Sequence, residues 1–247
     1  MSQILAKIIA PVLLAVFLAG TIVETEARIL TPGVEPGMTF TYDITSFWSS
    51  TDEYASIPQS LIEINKTKAF EVRIHNITDS NVTVFVAIYY WNGSAVADYG
   101  RIDLDSGTSY GGFKFAAIIA ANLNARDVIH PLGTDGITIN ETVTRIYQSG
   151  SRETNRIIIE STNATTGASG SIDRYFDKAT GVLVEEYETN ISGDQRTTSK
   201  ITWKLKETNV WVVPEFPSVL ILPLVMALTV IAAIAIKKRQ YRMEKLI

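Results

Sequence analysis

The chain has 247 residues, a formal net charge of −4, 46% hydrophobic against 19% charged residues, and a mean hydropathy of +0.14. Much of the apolar excess lies in two end segments, Ile8–Val23 and Val219–Ile236, which argues against an ordinary cytosolic enzyme. The absence of cysteine excludes disulfides, thiolate metal sites and cysteine nucleophiles, and 16 Lys/Arg against 22 Asp/Glu between Arg28 and Val213 exclude nucleic acid as a partner.

In chain order, Lys7, the apolar run Ile8–Val23 and the small residue Ala27 predict a secretory signal peptide over residues 1–27; an uncleaved anchor is the alternative. Residues 28–210 then read as one β-rich extracellular domain. Period-two alternation predicts half-buried strands at Met38–Ile44, Phe70–Ile74 and Ile201–Lys206. Val82–Trp91 and Arg156–Glu160 are denser in β-branched and aromatic residues and predict strands covered on more of their surface. Phe113–Leu123, with four alanines and no glycine or proline, predicts a short buried helix that plugs or caps the sheet. Asn124–Gly136 is a long loop, and Ile137–Tyr147 and Val184–Ile191 are further strand candidates with Thr and Glu on one face. Between Arg174–Phe176 and Val182–Val184, the run Asp177-Lys-Ala-Thr-Gly181 predicts a hairpin turn: aspartate bonds its own backbone and glycine takes positive φ. The fold class is therefore mainly β, an antiparallel sandwich, curved sheet or barrel with one short buried helix.

Beyond a juxtamembrane linker at 211–218, residues 219–236 carry no charge and span about 27 Å as a helix, close to a hydrocarbon core. Lys237, Lys238, Arg239, Arg242 and Lys245 follow in a basic tail, 237–247. Cations stay on the cytoplasmic side, so the middle of the chain is expected outside the cell membrane. The linker contains Val213-Pro214-Glu215-Phe216-Pro217-Ser218. Motif, apolar helix and basic end together resemble the PEF type of C-terminal sorting signal on exported archaeal proteins, over about the last 35 residues. The resemblance implies an archaeosortase-type processing enzyme as a partner, with Pro214, Glu215 and Phe216 as its recognition residues. Without such an enzyme, the two prolines simply stiffen an extended linker.

Asn-x-Ser/Thr occurs seven times, at Asn65, Asn76, Asn81, Asn92, Asn140, Asn163 and Asn190, where composition alone predicts about two such triplets. The excess predicts a heavily N-glycosylated protein, although threonine-rich strands and asparagine-rich turns also generate the triplet. Occupied sites must face water. Candidate catalytic chemistry is thin. His75 and His130 are the only histidines, too few for an imidazole metal site, and no Gly-x-Ser-x-Gly elbow nominates a serine. Asp105-Ser106-Gly107-Thr108-Ser109 looks like the aspartic-protease signature. It stands in one copy, behind a charged Arg101-Ile-Asp103 segment, and reads better as a polar hairpin turn. Asp103 and Asp105 also match a calcium loop poorly. Trp48, Tyr89, Tyr90, Trp91 and Trp203 could stack sugars or serve the core.

The expectation is an exported, membrane-anchored glycoprotein with a structural, adhesive or ligand-binding ectodomain, no cofactor, no metal and no enzyme activity. The alternatives are a carboxylate-dependent surface hydrolase and a carrier of an apolar ligand inside a curved sheet, separable by whether two carboxylates converge in a cleft and whether the sheet encloses an apolar cavity.

Overall fold

A computed structural model of the chain describes residues 30–147 and 150–211. The signal-like segment, the Pro214-Glu215-Phe216 motif, residues 219–236 and the basic tail lie outside the described residues. Among those described, no helix is long and apolar enough to cross a membrane.

The ten strands are β1 (Thr39–Ser50), β2 (Thr67–Thr78), β3 (Asn81–Tyr90), β4 (Ala95–Asp103), β5 (Ser109–Gly111), β6 (Glu141–Tyr147), β7 (Gly150–Thr162), β8 (Ser169–Asp177), β9 (Leu183–Ile191) and β10 (Thr197–Thr208). They form one antiparallel sheet in the order β5-β4-β3-β2-β1-β10-β9-β8-β7-β6. Two five-stranded meanders, β1 to β5 and β6 to β10, are thus joined where β1 pairs with β10. Neither a two-sheet sandwich nor a barrel closed by strand pairing is formed, because β5 and β6 stand at opposite edges.

The side-chain alternation decides which face is buried. Phe40 and Tyr42 of β1, Phe70, Val72 and Ile74 of β2, Val82, Val84 and Val86 of β3, and Ile102 of β4 all point to one face, here the inner face, where they make the main apolar core. Tyr42, Phe70, Phe115 and Trp203 meet there with ring centroids 5.0–6.4 Å apart. Tyr42 also donates its hydroxyl to Leu183 O at 2.9 Å, tying β1 to β9 across the inner space. Full burial raises the Tyr42 phenol far above its ordinary value, so it stays a donor.

The expected helix at Phe113–Leu123 is not formed. Gly112–Lys114 make a single 3-10 turn, in which Phe113 and Lys114 take positive φ, and the chain then runs extended. Ile118 bridges Val182, Ile119 N–H donates to Gly181 O, and Leu183 N–H donates to Ala117 O. Alanine propensity is a weak prior, and here the β8–β9 turn offers backbone partners that a helix would forgo. The burial was read correctly: Phe115, Ile118, Ile119, Ala120, Ala121 and Leu123 are all buried against the inner face. Among the described residues the one α-helix, α1 (Gln59–Lys66), lies elsewhere and buries only Leu61. Its lone inward residue leaves no periodic signal to read.

The same segment explains the long loop after it. Ile129 N–H donates to Ile137 O and Val128 bridges Thr138, so 126–139 folds back on itself. Leu132 N–H donates to Asp105 O beyond β4, while Asn140 N–H donates to Arg156 O on β7. Val182, in the β8–β9 turn, shares one core with Ile102 of β4, although several strands separate them in the sheet order. The sheet therefore curls, and this segment links its two margins in place of strand pairing.

Candidate functional site

The second meander carries a row of charge on the face opposite the one that holds the valines of the first. On the outer face, cross-strand register aligns Asp43, Lys204, Glu185, Tyr175, Arg156 and Glu141 on β1, β10, β9, β8, β7 and β6. Charge alternates on either side of Tyr175, the arrangement that stabilises neighbouring strands. Each of three arginines grips one carboxylate with two bonds. Arg145 Nε and Nη2 lie 3.0 and 2.8 Å from Glu185. Arg152 Nε and Nη2 lie 2.5 and 2.9 Å from Asp177, and Arg156 Nε and Nη2 lie 2.9 Å from Asp173. Paired forks of this kind fix geometry as well as charge.

Aromatic faces support the arginines. The Arg145 guanidinium sits 4.1 Å over the Tyr175 ring, and that of Arg152 sits 4.4 Å over Trp211. Trp211 also lies against Tyr147, centroids 5.9 Å apart. Of these groups, Arg145, Glu185, Tyr147 and Trp211 line a cleft of about 940 Å³ together with Asp43, Lys204, Lys206 and Tyr187. Tyr187 donates to Glu185 Oε2 at 2.5 Å. Burial and then Glu185 push the Tyr187 phenol up to about 12. Burial works against ionisation of Glu185, but hydrogen bonds from Tyr187 and Arg145 outweigh it and hold the carboxyl below its ordinary value. Burial, followed by the Glu185 charge, also raises Tyr147. Two buried donors in the lining, Tyr147 Oη and Trp211 Nε1, make no hydrogen bond of good geometry among the described residues.

The groups singled out in the sequence lie mostly elsewhere. Asp105 occupies the polar turn between β4 and β5, as expected: Gly107 N–H donates to Asp103 O, and Asp103 Oδ1 accepts from Asp105 N–H. Asp105 lines none of the three clefts described. His130 packs on Gly107, where any Cβ would overlap its ring, and its Nδ1 is 2.9 Å from Asp135 Oδ2. Burial disfavours the charged Asp135, and the bonds from His130 and Ile137 N–H still lower its carboxyl. His75 is exposed and stacks edge-on against Tyr99. No group of three or more His, Asp or Glu is placed to hold a metal among the described residues.

Of the sequon asparagines, Asn65, Asn76, Asn92, Asn140, Asn163 and Asn190 are exposed, and Asn81 is half-buried. The aromatic candidates separate: Trp203 joins the core, Tyr90 and Trp91 line a second cleft beside Asn65 and Asn92, and Trp48 lines a third. Arg145, Tyr147, Arg152, Glu185, Tyr187 and Trp211 were not singled out in the sequence. Their signal is the i, i+2 recurrence of Arg145 with Tyr147 and of Glu185 with Tyr187, which becomes a site only once the register is known.

The fold and site define a mainly β protein: a curled, open, ten-stranded antiparallel sheet with a charged outer cleft. No family model matches the chain, and no curated protein matches it. Among solved structures, a Bacteroides fragilis protein with a YmcC-like fold, named provisionally as exported, is similar to it at 10% identity, covering 72% of this chain and 99% of that one with a TM-score of 0.36.

Proposed function

We propose that the chain is an exported, N-glycosylated protein held at the outer face of the cell membrane, and that its ectodomain binds a polar ligand in the cleft of β6, β9 and β10. The address rests on the uncharged residues 219–236 with their basic tail, the signal-like start, and the excess of sequons. Processing at Pro214, Glu215 and Phe216 by an archaeosortase-type enzyme belongs to the same reading. The observation that supports ligand binding is the buried donor Trp211 Nε1, which makes no hydrogen bond among the described residues, in a cleft where Arg145 and Tyr187 already occupy the Glu185 carboxylate. Buried donors nearly always have an acceptor, so a polar ligand presenting an oxygen to that indole fits it. The proposal assigns no catalytic step, cofactor or metal to the chain. A carrier role fits less well, because Phe115, Ile118 and Val182 fill the inner face beside the core strands.

Two measurements test this. Protease applied to unbroken cells should degrade the ectodomain, and carbonate washing should leave the membrane-held form in place; protection from protease contradicts export. Titrating the full chain in detergent with acetate, phosphate and a neutral disaccharide should reveal saturable binding of at least one, weakened tenfold or more by Trp211→Phe. Binding of none, or binding indifferent to that change, contradicts the cleft as a ligand site.

A further inference from the structure

The inner face does not end with the apolar core. Along β1 the inward positions after Ile44 are Ser46, Trp48 and Ser50, so the lining turns polar towards the end of the strand. The register carries that change across five strands in one row: Trp48 opposes Ser199, Ser199 opposes Asn190, Asn190 opposes Gly170, and Gly170 opposes Ser161. Four strand spacings make a trough about 19 Å long. Its floor is low because these side chains are small, and at Gly170 a Cβ would lie 2.8 Å from Asn190 Oδ1. The cleft holds about 550 Å³, and its lining is hydroxyls, amides, small apolar groups and one indole, with no charged side chain.

Two features point to an occupant. Trp48 Nε1 is buried, lines the trough, and has no hydrogen-bond partner among the described residues. Asn163 and Asn190 both line the same trough and both begin a sequon. Asn163 Oδ1 is engaged by the N–H groups of Thr165 and Thr166, while Asn190 Nδ2 donates to Glu188 Oε1 with one of its two hydrogens. Either amide therefore keeps a hydrogen that a glycosidic bond can replace. The β7–β8 and β9–β10 turns that present them are locked together, since any Cβ on Gly193 would overlap Thr166 O.

We infer that this trough is a neutral-saccharide site, occupied by the first sugars of the glycan on Asn190 or Asn163 or by a free saccharide of the same chemistry. The inference rests on the glycosylation reading for the first source only. An indole offers its face to sugar C–H groups and its N–H to a ring or hydroxyl oxygen, and the serines, threonines and amides supply both donors and acceptors. A lining without charge gives no counter-ion to a phosphate or carboxylate. A sugar bonded to Asn190 is delivered at high effective concentration, so weak individual contacts suffice to seat it. The second cleft also sets aromatic side chains, Tyr90 and Trp91, beside the sequon asparagines Asn65 and Asn92, but with the charged Glu63 and Lys66 in its lining.

The test uses the full chain in detergent, labelled with 15N at its tryptophan indoles and prepared with and without its glycans. Trp48→Phe assigns the Trp48 resonance, and unchanged Trp91, Trp203 and Trp211 resonances certify that each variant is folded. Peptide mass mapping first reports whether Asn163 and Asn190 carry glycan. If they do, removing it by Asn190→Gln or Asn163→Gln should move the Trp48 resonance, and Asn76→Gln should not. If they do not, the glycan source fails at these sites, and the unglycosylated chain should instead show the Trp48 resonance shifting saturably with chitobiose or maltose and not with inorganic phosphate. A Trp48 resonance that stays still in both arms overturns the inference, whatever the glycan occupancy.

Discussion

The two meanders of one sheet are built on different chemistry. In β1 to β5 the inward rows are valine, isoleucine and phenylalanine, packed on Phe115 and Ile118. In β6 to β10 the outer face is arginine gripping carboxylate over tyrosine, and even the inner face holds an ion pair, Arg174 with Glu186. Burying methylenes stabilises whatever the detailed geometry, whereas a buried ion pair must recover a large desolvation cost through geometry alone. The first meander therefore supplies most of the apolar core, to which the second adds Ile157, Phe176 and Leu183, and the second also fixes the positions of its polar groups.

Breaking the apolar half should cost most. Ile118→Ala removes a fully buried side chain from the segment that closes the sheet, and should lower unfolding free energy by about 3 kcal/mol in a urea titration. Arg145→Ala leaves Glu185, whose side chain is only 10% exposed, without its counter-charge, with the Tyr187 hydroxyl still donating to it. Because Arg145 is itself a third exposed, a cost of about 2 kcal/mol is expected, below the range for a fully buried pair. Adding Glu185→Gln should recover part of it; no recovery would mean that packing of Arg145 on Tyr175, and not charge, is what was lost. Tyr42→Phe deletes the bond between the halves and should cost about 1 kcal/mol, with the fold unchanged by circular dichroism.

The smallest effect sharpens the comparison by pH. The Glu185 carboxyl is lowered in the folded chain from an ordinary value of 4.5, so its ionised form favours folding. That contribution is complete above the ordinary value and is lost as pH falls through the lower folded one. Stability should thus decline on acidification below about pH 4.5, and Glu185→Gln should flatten the decline. An equal slope in wild type and variant would show that the cleft carboxylate is not the group responsible.

The strands of the apolar half were legible because one buried face writes itself as alternation, as Phe70, Val72 and Ile74 do. The Asp177–Gly181 turn was legible in detail: Asp177 Oδ1 accepts from Thr180 N–H and Oγ, and Gly181 has φ +73°. What the turn chemistry could not reveal is the second role of Gly181, which lets Ile119 O approach to a distance that any Cβ would forbid. That contact is also why Phe113–Leu123 is not a helix. β4 escaped notice because, from Ala95 to Tyr99, it is exposed on both faces at the margin of the sheet. The cleft was illegible for a deeper reason. Arg145 and Glu185 are 40 positions apart and meet only through the β6-β7-β8-β9 register, which no local pattern encodes.

The account stands or falls on the chain's address, and intact-mass analysis of protein taken from its native membrane tests that most directly. The expected mass lacks the first 27 residues and, once sorted, the segment beyond Pro214-Glu215-Phe216, and it exceeds the remaining polypeptide by the glycans on its sequons and any anchor that replaces the tail. A mass equal to the unmodified 27.2 kDa chain contradicts export and glycosylation together.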